Sequence, residues 1–192
     1  MELVRPWANT DRVVVADSFF ASVGAAVRLS DQYGLRFIGV VKTATKGYPM
    51  NLLGNVVLPQ GKGDHYGVMA KDEESGKSIL AWVWCDRDRR YFVSSCSSLS
   101  PGNMIRRQRW RQVDKTPSAD PELTEIEIPH PEATELYYKG CQRIDQHNRI
   151  RQASLALERK IGMNGWDKHA NMTLFGMMCT DAYYLASGCQ PN

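Results

Sequence analysis

A strand–helix–strand pattern near the start of the chain constrains its fold more than any other feature. Residues 12–16 (RVVVA) form a continuous run rich in β-branched side chains, which is typical of a strand buried on both faces. Ser22 has the side chain of a helix N-cap, and apolar residues recur at helical spacing over Val23–Tyr33 until Gly34. Residues 35–41 (LRFIGVV) predict a second buried strand. Because the joints are short, the pattern favours a right-handed crossover between parallel strands in an α/β fold.

The composition predicts a folded chain without a membrane span. With 192 residues, the chain has the length of one domain with room for an insertion. A hydrophobic fraction of 43% and five tryptophans exclude a disordered tail. No stretch approaches the ~20 apolar residues of a membrane helix. The formal net charge of +3 is too small to prove a nucleic-acid partner, so the positions of the charges matter more.

The cysteines and the first residues of the sequence predict an intracellular protein. Five cysteines are widely spread without a CxxC pair, which favours free thiols over a disulfide framework or a structural zinc site. They are Cys85, Cys96, Cys141, Cys179 and Cys189. Residues 1–12 lack the basic-then-apolar layout of a secretory signal.

The pattern of the chain changes in its middle part. Short strands separated by turns are predicted at residues 66–70, 79–85 and 91–95. Strands this close together favour an antiparallel meander. This organisation differs from that of the first fifty residues, and we therefore interpret the middle of the chain as a β-rich insertion.

Charges of opposite sign follow one another after the meander. Four arginines (Arg106, Arg107, Arg109 and Arg111) surround Trp110, and an acidic stretch from Asp120 to Glu135 follows them. We expect the acidic stretch to be an extended connection. The chain becomes helical from Tyr137, and a last helix is expected at about 166–186. Its predicted inward residues are Ala170, Leu174, Met177, Met178 and Leu185.

Asp17 is the strongest candidate for chemistry in the sequence. It follows the first predicted strand, and open α/β sheets place their ligand sites at the carboxyl ends of strands. We expect a half-desolvated carboxylate that needs a cation, a metal ion or several hydrogen-bond donors. The alternative is a structural role, in which Asp17 only caps the following helix.

Asp145 is the second candidate. A functional interpretation pairs it with Asp17, as carboxylate ligands from separate elements for a divalent cation such as Mg²⁺. The alternative is a weak surface ion pair with Arg149, one helical turn away.

The arginine cluster is a candidate DNA-binding site. Arginines can grip phosphates with paired hydrogen bonds, and the indole of Trp110 can stack on a base. On this hypothesis Arg106, Arg107, Arg109 and Arg111 contact DNA. A solvated loop without a ligand is the alternative.

Five segments in this order resemble the catalytic core of piggyBac-type transposases. They are residues 14–22 (VVADSFFAS), 39–42 (GVVK), 93–96 (VSSC), 137–146 (YYKGCQRIDQ) and Trp166 with the apolar helix after it. The resemblance extends over nearly the whole chain. It implies a partial ribonuclease H-like fold, formed by residues 1–50 and 136–192 and interrupted by a β-rich insertion at 51–135.

The resemblance also implies a metal-dependent reaction on DNA. Enzymes of this type use three aspartates to hold two divalent ions, Mg²⁺ or Mn²⁺, for strand cleavage and transfer. Asp17 matches the second aspartate. Gln142 stands at the usual place of the third, and Asp145 matches the acid one turn later. The first aspartate belongs on a strand upstream of Asp17 that this sequence does not contain.

These matches predict a transposable-element-derived protein that is truncated and catalytically inactive, with residual DNA binding. One alternative is an active metal-dependent transposase or nuclease that uses Asp17 and Asp145 together with the missing acid. Another is a domesticated DNA- or protein-binding module without chemistry. The resemblance implies a nuclear location and DNA as a partner. We also expect a homo-oligomer, or another partner that covers an exposed sheet edge.

Overall fold

A five-stranded mixed sheet forms the centre of the first of two units, residues 1–137 and 138–192. The structure is a computed structural model that describes residues 2–59, 61–71, 76–111, 122–160 and 165–187. The strands are β1 (Val13–Ala16), β2 (Arg36–Val41), β3 (His65–Lys71), β4 (Ser78–Cys85) and β5 (Arg89–Ser94). Their order in the sheet is β1-β2-β5-β4-β3.

The pairing of the strands confirms both the crossover and the meander. Strand β1 is parallel to β2, whereas β5 is antiparallel to β2 and β4, and β3 is antiparallel to β4. Strand β1 is only partly buried before Ala16, although its sequence predicts burial on both faces. The reason is its position: within the described residues, β1 pairs with β2 alone. Strands β3 to β5 continue the same sheet, and the assignment of residues 51–135 to an insertion stays a prediction.

Helix α1 (Val23–Tyr33) joins the two parallel strands and has the predicted ends. The amide of Ala25 donates to Ser22 Oγ over 3.1 Å, which confirms Ser22 as the N-cap. Gly34 ends the helix with a φ of 56°, in the left-handed region that glycine adopts without strain. A 3₁₀ helix (Glu2–Trp7) and the short helix α2 (Met50–Leu53) complete this part of the unit.

Aromatic side chains from neighbouring strands fill the core. Trp82 and Phe92 are fully buried and stacked, with ring centroids 4.9 Å apart. Trp82 Nε1 donates to Thr134 Oγ1 over 3.1 Å, and Tyr137 meets Phe92 edge-on. This hydrogen bond and this ring contact hold the first turns of the helix that begins at Glu132 against the sheet.

Tyr48 places a hydroxyl group inside this core. Its oxygen lies 2.9 Å from the carbonyl oxygen of Trp82 and 3.1 Å from that of Phe92. Burial raises the pKa of Tyr48 well above its usual range, so the group remains a neutral donor. The hydroxyl therefore satisfies backbone carbonyl groups of two adjacent strands.

The Tyr48→Phe variant should lower the free energy of unfolding by about 1–2 kcal/mol, because a buried carbonyl loses its donor. Denaturant unfolding followed by tryptophan fluorescence measures this change. Tyr66→Phe is the matched control, since Tyr66 is 43% exposed on β3 and should change the stability by less than ~0.5 kcal/mol. Equal effects of the two substitutions would contradict the role of Tyr48.

An antiparallel ribbon of β6 (Pro101–Arg111) and β7 (Glu122–Pro131) contains the arginines and the acidic stretch. The prediction of an extended connection for the acidic stretch is therefore wrong over its described residues, and so is the alternative of a loop for the arginines. Opposite charges meet across the ribbon where Arg106 lies opposite Glu127. Residues 125–128 (EIEI) alternate as a strand does, a signal that the charge pattern concealed.

Helix α3 (Glu132–Arg149) begins five residues before its predicted start and runs into the second unit. A π-helical turn (Ile150–Leu155), α4 (Leu157–Lys160) and α5 (Trp166–Ala186) follow. In the described part of the chain, no helix has both the length and the apolar character needed to cross a membrane.

The bounds of α5 agree with the prediction, but its inward face does not. All five residues predicted to face inward are exposed: Ala170, Leu174, Met177, Met178 and Leu185. The helix instead buries Gly176 and Thr180. A Cβ atom at Gly176 would lie 3.1 Å from Arg151 Cγ, so α5 packs closely through small residues. Apolar residues occur all around α5, and their spacing therefore does not reveal which face is buried.

Candidate functional site

Asp17 begins a tight turn directly after β1. Its Oδ1 accepts a hydrogen bond from the amide of Phe19 over 3.0 Å. Its backbone carbonyl accepts from Phe20 and Ala21, over 3.2 and 2.9 Å. The carboxylate thus helps to define the turn in which it stands, as aspartates commonly do.

The structure contradicts two expectations about Asp17, namely that it only caps the helix and that it is half-buried. The cap of α1 is Ser22, so Asp17 is not a simple helix cap. The residue is also exposed rather than half-desolvated, because the turn carries it out of the packed layer of the sheet. An exposed carboxylate at the end of a strand is accessible to a ligand from solvent.

The parallel pairing of β1 and β2 places a lysine at the same end of the sheet as Asp17. Ala16 is paired with Gly39, so both strands end on one side. Lys42 directly follows β2 and is exposed. Among the residues that the structure describes, no carboxylate forms an ion pair with Lys42.

Arg90 lies at the same end of the sheet, near the start of the antiparallel strand β5. Strand β5 is antiparallel to β2, and Tyr91 is paired with Val41 near the end of β2. Arg90 is exposed, and within the described ranges it has no acidic partner. We call the group of Asp17, Lys42 and Arg90 the carboxyl-end group. Neither cation is predicted as a site residue from the sequence, because only the strand order and register bring Lys42 and Arg90 to the end of the sheet where Asp17 lies.

The arginine cluster is largely neutralised by carboxylates. Arg106 Nε lies 3.0 Å from Glu127 Oε1, on the exposed face of the ribbon. Arg109 Nη2 donates to Asp86 Oδ1 over 2.6 Å, and Arg107 Nε lies 3.9 Å from Asp86 Oδ2. Asp86 is only 7% exposed. These pairs lower the positive charge that the ribbon offers to a phosphate, and the DNA-binding role of the cluster stays a prediction.

Trp110 and three cationic side chains line a cleft beside the ribbon. The indole is 70% exposed, and the cleft has a volume of about 750 Å³. Its lining residues are Lys62, Arg87, Gln108, Arg109, Trp110, Thr124 and Ile126. The side chain of Arg111 lies outside the described residues. An aromatic ring with cations nearby is the arrangement expected for base stacking. Base stacking is the role predicted for Trp110 from the sequence.

Asp145 and Gln142 lie on α3, in the second unit of the chain. Both are exposed. Among the described residues Asp145 forms no ion pair with Arg149, so the structural alternative for this acid is wrong. Asp17 belongs to the first unit, and a joint site of the two carboxylates stays a prediction.

The described histidine, cysteine and acidic side chains are the candidates for metal sites and disulfides. Over the described ranges, no three histidine, cysteine, aspartate or glutamate side chains are grouped to hold a metal ion. Cys85, Cys96, Cys141 and Cys179 are free thiols, as predicted, and Cys189 lies outside the described residues. Burial raises the pKa of the Cys96 thiol, which keeps it protonated and unreactive.

The family model of transposase IS4 matches residues 1–183. The chain belongs to this transposase family. No curated protein matches the chain significantly. Members of this family act with divalent metal ions when they are active.

A solved structure of piggyBac transposase, in a synaptic complex with hairpin DNA, has the same fold. It aligns with a TM-score of 0.61 and 15% sequence identity over 97% of this chain. This chain spans 33% of the length of that one. The resemblance to piggyBac transposases inferred from the sequence motifs is thereby confirmed.

The Asp86→Asn variant should lower the free energy of unfolding by about 2–3 kcal/mol, because two arginines lose a buried charged partner. Glu127→Gln is the matched control, since it removes one carboxylate from an exposed pair and should cost less than ~1 kcal/mol. Denaturant unfolding at moderate ionic strength compares the two. A smaller effect at Asp86 than at Glu127 would contradict the assignment.

Proposed function

We propose that this chain is a piggyBac-type transposase-derived domain that binds DNA at its carboxyl-end group and does not cleave DNA by itself. The observation that carries the proposal is the position of Lys42 and Arg90, two exposed cations at the end of the sheet where Asp17 stands. Family membership and the shared fold make DNA the expected ligand. The ribonuclease H-like assignment is part of the proposal and is supported by the parallel β1–α1–β2 crossover.

The charges around Asp17 favour a phosphate backbone as the ligand. A lone exposed acid would repel DNA, whereas two cations at the same end of the sheet make the net charge there positive. Each phosphate contact by a lysine or arginine releases counterions, which makes the binding depend on salt. The ribbon is the weaker candidate because its arginines already face Asp86 and Glu127.

The acids present in the sequence support binding without cleavage. Asp17 and Asp145 offer carboxylate oxygens of the kind that Mg²⁺ prefers, and the exposed Asp17 carboxylate is open to an ion. Gln142, at the usual position of the third acid, cannot supply a negative charge. When bound, divalent ions would activate the attacking oxygen and stabilise the leaving oxygen of the phosphodiester. An incomplete ligand set typically lowers metal affinity and activity by orders of magnitude.

The first experiment measures salt-dependent binding to a labelled DNA duplex by fluorescence anisotropy. Replacing Lys42 and Arg90 together with alanine should reduce the slope of log affinity against log salt by roughly 1.8, about 0.9 for each phosphate contact. A double alanine variant of Arg28 and Lys71 is the matched control. Arg28 lies on α1, and Lys71 is paired with Ser78 at the opposite end of the sheet.

Two results would overturn this assignment. One is an unchanged slope after loss of Lys42 and Arg90. The other is a larger loss after replacement of Arg106 and Arg111, which would move the interface to the ribbon.

The second experiment tests cleavage of supercoiled plasmid DNA in Mg²⁺ or Mn²⁺. We expect no nicking above a protein-free blank, because Gln142 supplies no negative charge at the usual position of the third acid. Nicking that disappears in both the Asp17→Ala and the Asp145→Ala variants would instead establish the active-enzyme alternative. Thermal melting of both variants checks that they fold.

A further inference from the structure

Two phenylalanines next to Asp17 expose most of their ring surface. Phe19 is 78% exposed and Phe20 is 70% exposed. Their centroids lie 4.9 Å apart with an angle of 80° between the planes, so the rings form an edge-to-face pair. Exposed apolar surface often marks an interaction site. Because these rings lie next to Asp17 in the chain, we look for a ligand that contacts both the rings and the charged end of the sheet.

The backbone hydrogen bonds of the turn link the rings to Asp17. The amide of Phe19 donates to the carboxylate of Asp17, and the amide of Phe20 donates to the backbone carbonyl of Asp17. The turn is thus fixed at the start of both side chains. The rings are held close to the acid rather than on a free loop.

The neighbouring charges indicate the chemistry of the occupant. Lys42 and Arg90 stand at the same end of the sheet, and neither has an acidic partner among the described residues. An apolar protein surface placed on the rings would bury these cations without compensation. A nucleic acid satisfies both requirements, because its phosphates pair with the cations and its bases have flat apolar faces.

We propose that Phe19 and Phe20 stack on unpaired nucleobases of a DNA strand whose phosphates contact the carboxyl-end group. The inference rests on the proposed function. A duplex hides its base faces, so the rings give this site a preference for single-stranded or locally opened DNA over intact duplex. Phe19 and Phe20 are positioning residues, since they fix the strand relative to Asp17 without taking part in a reaction.

The test uses an oligonucleotide duplex with a short single-stranded extension that contains 2-aminopurine, whose fluorescence falls when it stacks. The intact chain should quench the probe and prefer the extended oligonucleotide to a blunt duplex. The Phe19→Leu/Phe20→Leu double variant should lose the quenching and reduce this preference about tenfold. Its affinity for the blunt duplex should change less than twofold, because the cations remain.

Two variants separate stacking from other causes. The Phe19→Tyr/Phe20→Tyr double variant keeps the rings and should retain the quenching. Trp166→Leu removes an aromatic residue of the second unit that is 84% exposed, and it should have no effect.

The outcomes distinguish this inference from the proposed function. Duplex binding that depends on Lys42 and Arg90, with no quenching due to the phenylalanines, overturns the inference alone. Quenching lost only in the leucine variant, with an unchanged salt slope in the Lys42/Arg90 variant, supports stacking on Phe19 and Phe20 but overturns the contact between phosphates and the carboxyl-end group, and with it the proposed function. A change of oligomeric state in the DNA-free leucine variant, measured by analytical ultracentrifugation, would show that a second copy covers the rings and would overturn the inference.

Discussion

The parallel pairing of β1 and β2 is the constraint on which the candidate site depends. Parallel neighbours need a crossover, and α1 supplies it with eleven residues between the Ser22 cap and the left-handed Gly34. Because both strands then end on one side, the residues after them share that side. Asp17 and Lys42 lie at the same end of the sheet for this reason, although twenty-four other residues separate them in the sequence.

The position of charges proves more informative than their number. The sequence has its densest group of arginines at residues 106–111, yet the ribbon turns two of them onto the buried Asp86. Isolated cations such as Lys42 and Arg90 form no basic cluster in the sequence, but the sheet register brings them to the end of the sheet where Asp17 lies. A basic segment therefore predicts a nucleic-acid surface only if the fold leaves its charges without acidic partners.

Local signals predicted the fold well, and long-range contacts account for what they missed. The crossover, the caps of α1 and the meander follow from β-branched runs, turn residues and helical spacing, which act over a few residues. The ribbon was missed because its stability comes from pairing between strands that ten residues separate. The inward face of α5 was wrong because a helix that is apolar on all sides carries no directional signal. For the site, Asp17 followed from the end of a strand, whereas Arg90 required the strand order.

The hydrogen bond between the Asp17 carboxylate and the Phe19 amide has an energetic consequence for any ligand of that acid. A cation that binds Oδ1 competes with the Phe19 amide for this oxygen and weakens the turn. By thermodynamic reciprocity, whatever loosens the turn makes the oxygen more available. The mobility of the aromatic segment and the occupancy of the carboxylate are then two readouts of a single linked equilibrium.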